Sequence, residues 1–172
     1  MLTACLRSCL TLGQSALDVC PSSAKAHHLY ALALLRAFEH EDDAQLSTHT
    51  REHDLAAAEH HLEKALQLFP SYSAPLYRMG TVYASRALSS RHDEKQFAAY
   101  AATAIEWFSR AIEAKAQYAA DAHSFIAILS SMRETENPAT SLRHFEAAIA
   151  LNENNAAFRA NLGNFLWQLV RS

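Results

Sequence analysis

Apolar positions recur along this chain with the period of a helix, in segments parted by short polar breaks. Leu29, Tyr30, Ala33, Leu34 and Ala37 mark one face of a helix over about residues 24–38. Phe97, Tyr100, Ala101, Ala104 and Phe108 mark another, and their stripe predicts an unusually long helix from about 93 to 116 rather than a loose loop. The same reading places helices at about 3–20, 50–69, 73–88, 119–134, 138–151 and 156–170. Ser22 and Ser23 are suited to cap the second helix, Pro75 to stand in the first turn of the fourth, and Asn137-Pro138 to cap and open the seventh. Pro21 and Pro70 stop the helices before them, because proline lacks an N–H and clashes with the preceding turn.

One interval repeats. Leu62 to Tyr83, LEKALQLFPSYSAPLYRMGTVY, reads as a helix end, a turn and a new helix, and Ala65 and Gly80 in it lie 15 positions apart. Ala16 and Ala31, Ala111 and Ile126, and Ala148 and Gly163 are also 15 apart. Small residues at these places let two helix backbones approach, and the large apolar residues beside them fill the layer between hairpins. Ile126 is the bulky exception and predicts a slightly wider third hairpin.

These residues resemble the tetratricopeptide repeat (TPR) family, whose helix A carries Leu-Gly and Tyr and whose helix B carries Ala, Phe, Ala and Pro. Leu76, Met79, Gly80 and Tyr83, followed by Ala104, Phe108 and Ala111, carry the pattern, as do Leu162, Gly163 and Leu166 near the end. Ala58, Leu62, Ala65 and Pro70, and Ser141, Phe145 and Ala148, supply further copies. Glu153 and Ala116 stand where the family has its turn proline. Successive alanines 16, 65, 111 and 148 are 49, 46 and 37 apart, against about 34 in the family. The extra residues therefore lie between helix A and helix B.

The resemblance implies an all-α solenoid of antiparallel helical hairpins, a right-handed superhelix, as a single domain over residues 1–172. Its parts are a half repeat 3–23, repeats at about 24–72, 73–118 and 119–155, and a half repeat 156–172. It also implies a ligand groove lined by the A helices. By pattern, the partner-binding groove positions are His28, Tyr77, Thr81, His123, Asn164 and Trp167. Some members clamp the carboxylate tail of heat-shock chaperones with basic residues and asparagines. Here His28, Leu32, Arg78, Ala120 and Ser124 occupy those places, so that ligand class is set aside. An extended or helical peptide with apolar anchors is expected instead.

Composition narrows the picture. The 172 residues include 34 alanines but three glycines and four prolines, as close-packed helices require. Net charge is −3 and no basic run occurs, so nucleic acid is not expected as a partner. No apolar run approaches the ~18 residues of a membrane span. Cys5, Cys9 and Cys20 are expected to be reduced and buried in a cytoplasmic protein. Leu2-Thr3-Ala4-Cys5 has the form of a lipoprotein cleavage site, but no basic or apolar stretch precedes it.

Chemistry is sparse. No glycine-rich phosphate loop, serine elbow or catalytic carboxylate pair can be placed. His49, Glu52 and His53 spell the inverted zinc-protease order H-x-x-E-H. With ten histidines in the chain the match carries little weight, and a zinc hydrolase is the remote alternative. The expected protein is a non-enzymatic scaffold or adaptor with no cofactor and no metal. The last helix carries Phe158, Leu162, Phe165, Leu166, Leu169 and Val170 and is insufficiently polar for an outer face. The alternative is thus a structural subunit or homo-oligomer joined through that helix, with Trp167 at the interface. The segments 38–54 and 89–96 are polar insertions, the first opening on Glu39, Glu41, Asp42 and Asp43.

Overall fold

The computed structural model describes residues 2–40, 48–114, 117–132 and 138–171. Among them the chain forms eight helices and no strand: α1 (Leu2–Val19), α2 (Ala24–His40), α3 (Thr48–Leu68), α4 (Ser73–Ser89), α5 (Glu94–Glu113), α6 (Ala119–Ser131), α7 (Pro138–Leu151) and α8 (Ala156–Arg171). We refer to α2, α4, α6 and α8 as A helices and to α1, α3, α5 and α7 as B helices. No helix is long and apolar enough to cross a membrane among the described residues.

The described residues divide into two compact units, Met1–Val82 and Tyr83–Ser172, with α4 contributing to each. In the first unit α2 packs between α1 and α3. Ala31, Ala58, Leu62 and Ala65 are fully buried there, which is why small residues recur at this register. A close approach of α1 to α2 involves a residue outside the repeating pair. A Cβ on Gly13 of α1 would lie 2.8 Å from Tyr30 Cδ2 and 3.0 Å from Tyr30 Cα. Only glycine lets α1 lie this near α2 without displacing it.

In the second unit α5 packs on α6, α6 on α7, and α8 on both α7 and α6. Of the stripe expected on α5, Phe97, Ala101, Ala104 and Phe108 are buried, together with Ala111, while Tyr100 is half-buried. Asp93 caps this helix by accepting a hydrogen bond from the Gln96 N–H at 3.0 Å. Phe108 stacks on Phe125 of α6, with ring centroids 5.2 Å apart and planes at 10°. Ala127, Phe145 and Phe165 form the core where α6, α7 and α8 meet. Ile126 is itself fully inside, at the register where the other A helices carry a smaller residue.

Two expectations change. Gly163 was placed at a close approach by its register, yet a Cβ there would meet nothing within 4 Å, because that side of α8 is exposed. Cys20 is exposed rather than buried, since it follows the last turn of α1, where its N–H bonds to the Ala16 carbonyl. The side chains of Cys5 and Cys9 lie outside the described residues, as do those of 37–51, which include most of the first insertion.

Candidate functional site

The expected groove positions do not behave alike. His28 and Tyr77 are buried, at 8% and 6% exposure, and so are not outward lining residues. The His28 ring stands edge-on to Tyr72, with Nδ1 3.1 Å from the phenolic oxygen. Burial, with the Arg78 charge adding to it, lowers the His28 pKa from 6.5 to about 4, so the ring is neutral at pH 7. Thr81 is half-buried and donates its hydroxyl to the Arg78 carbonyl at 2.8 Å, a bond within its own helix. His123 is half-buried and turned towards α7, where its Nδ1 lies 2.8 Å from His144 Nδ1. Asn164 and Trp167 are exposed on α8.

A hollow of about 290 Å³ opens in the second unit between α6 and α8 over α7. Ile128, Met132, Phe145 and Phe165 form its apolar floor, and Asn161, Asn164 and Gln168 stand along α8. Asn161 is held by donating from Nδ2 to Ser124 Oγ at 3.4 Å, across α8 to α6. Asn164 therefore belongs to a hollow. Trp167 does not line it: the indole is 60% exposed, with the Arg171 guanidinium 4.3 Å over its ring. The carboxamides are legible from their spacing, since positions 161, 164 and 168 share one face of a helix.

In the first unit a second hollow, of about 250 Å³, lies between α1 and α2, with Leu12, Leu29 and Leu32 in its walls and Arg36 at its rim. None of the expected groove residues lines it.

Of the H-x-x-E-H segment, two members are described. Glu52 and His53 are exposed at the start of α3, His53 Nδ1 lies 3.6 Å from Asp54, and the His49 side chain lies outside the described residues. Among the described residues no group of three or more His, Cys, Asp or Glu is placed to hold a metal ion.

Two cross-helix histidine contacts are absent from the pattern reading. His27 Nδ1 of α2 lies 2.9 Å from His61 Nδ1 of α3, and His123 of α6 meets His144 of α7 in the same way. A signal existed: His61 and His144 each stand four residues before an aligned alanine, Ala65 and Ala148.

No protein-family model matches the chain, and no curated protein matches it. Among solved structures, it is similar to a thermophilic TPR protein from Thermus thermophilus, with a TM-score of 0.70 and 16% identity, over 96% of this chain and 75% of that one. At such low identity the likeness concerns the fold alone. The chain has the all-α, helical-repeat fold of a TPR protein.

Proposed function

We propose that this chain is a non-catalytic scaffold that holds a peptide segment of another protein against its A helices. The observation that carries the reading is the hollow on α6 and α8. Its carboxamides each offer both a donor and an acceptor, as a peptide main chain requires. Its Met132, Phe145 and Phe165 floor accepts an apolar anchor from an extended or helical ligand. Because packed helices hold these groups, binding costs little ordering. Asn164 is the central contact. Thr81 and His123 flank A-helix faces of their own units, while His28 and Tyr77 act from beneath the surface. The eight helices are read as three repeats flanked by two half repeats.

The test is capture of partners with wild-type chain and with Asn164→Ala/Gln168→Ala, after circular dichroism shows equal helicity. A protein bound by the wild type and lost from the variant supports the hollow as the site. Equal capture by both removes it.

A second reading has its own observation. Leu166, Trp167, Leu169 and Val170 are all exposed on α8, with Val170 at 88%. Such a cluster on one helix favours association with a second copy. Light scattering over a concentration series tests this, and a constant monomer mass contradicts it.

A further inference from the structure

The paired histidines recur at one place in the repeat. His61 and His144 stand four residues before Ala65 and Ala148, and their partners His27 and His123 lie about one turn before Ala31 and Ile126. In the repeat between them the corresponding residue of α5 is Trp107, four before Ala111. Each pair joins the A helix of a repeat to the B helix of the same repeat through two ring nitrogens 2.8–2.9 Å apart. A contact of that length needs one Nδ1–H to donate and one bare Nδ1 to accept.

The first pair reveals which is which. His27 Nε2 lies 3.0 Å from the Pro21 carbonyl, which can only accept, so His27 carries its proton on Nε2. In the neutral ring its Nδ1 is then the acceptor, and His61 Nδ1–H donates to it. With one ring protonated, the other can still present a bare Nδ1. With both protonated, two N–H groups stand face to face, the bond is lost and two like charges oppose each other across α2 and α3.

We propose that the two histidine pairs are acid-operated latches: each ties an A helix to its B helix while one facing nitrogen is bare, and lets go when both rings are protonated.

The surroundings favour this. Around the first pair stand His60 and Tyr30, each with its ring edge-on to His61, and the Pro21 carbonyl following α1. Around the second, Arg143 adds positive charge from α7. The contacts of α5 and α8 with this repeat include Phe108 on Phe125, Asn161 on Ser124 and Phe165 on Phe145, and none of these side chains titrates. Burial first, then His27 and His60, lowers the His61 pKa from 6.5 to about 4. Burial lowers His123, and burial, His123 and Arg143 lower His144. A histidine with a lowered folded pKa takes its proton more readily in the unfolded chain. The latch contribution is therefore complete above pH 6.5 and is lost as pH falls towards the folded value, about 4 for His61.

The test compares thermal melts of the full chain at about pH 7.5 and about pH 5, for the wild type and for His61→Asn/His144→Asn. The Asn amide reaches the place of Nδ1. Its N–H donates to a neutral partner ring and its carbonyl accepts from a protonated one, so the tie survives acid. His28 is present in both chains, so its own acid sensitivity cancels in the difference between their drops. The wild-type melting temperature should drop on acidification, and the variant should show a clearly smaller drop. Equal drops overturn the proposal. If the variant does not fold, nitrogen NMR of the wild-type rings decides: titration of His61, His123 and His144 below the ordinary histidine range supports the latches, and ordinary titration of these three with the helices intact overturns them.

Discussion

Gly13 and Gly163 are both helical glycines, and the same substitution should affect them oppositely. In an exposed helix alanine is favoured over glycine by ~1 kcal/mol. At Gly163 a Cβ meets nothing within 4 Å, so Gly163→Ala should stabilise by about that amount in urea unfolding. At Gly13 it overlaps Tyr30, backbone included, and overpacking of ~1–3 kcal/mol outweighs the gain. Gly13→Ala should lower the urea midpoint. His28 supplies a second residue-scale prediction. Its pKa is lowered to about 4, so the unfolded chain binds the proton first. Stability from this group is full above pH 6.5 and falls, by on the order of 2–3 kcal/mol, as pH drops to about 4. His28→Phe should flatten that part of the pH profile measured by urea unfolding.

At the scale of the helix, Asp93→Ala removes the one side chain that satisfies the Gln96 N–H, and should cost α5 ~1 kcal/mol by chemical denaturation. This helix was readable in advance from its apolar stripe. The 15-residue interval was readable too: B helix, turn and A helix must meet at fixed small positions, and Ala31, Ala65, Ala111 and Ala148 are fully buried. Sequence spacing locates a residue along a helix better than it locates it around the helix. Successive residues are turned by ~100°, so a small error in the facing angle moves a side chain from groove to core. That is how His28 and Tyr77, expected outside, come to lie inside. Asn164, also expected outside, is exposed, because an edge helix such as α8 offers a broad exposed arc. The histidine pairs needed knowledge of which helices touch, which the interval alone does not contain.

At the scale of the whole molecule, α8 presents two surfaces. The apolar ridge with Trp167 and Val170 would join copies, and the carboxamide face would hold a peptide. If the ridge drives self-association, Trp167→Glu should reduce the mass seen by light scattering while partner capture persists, because Trp167 does not line the hollow. The most direct test of the scaffold claim is site-specific photo-cross-linking. A benzophenone amino acid is placed at position 164, at 167, and at exposed position 106 of α5 as control. The adducts are then identified by mass spectrometry. The account predicts one foreign protein joined through a short segment at 164 and absent at 106. Adducts at 167 alone, or equal labelling at 164 and 106, would contradict it.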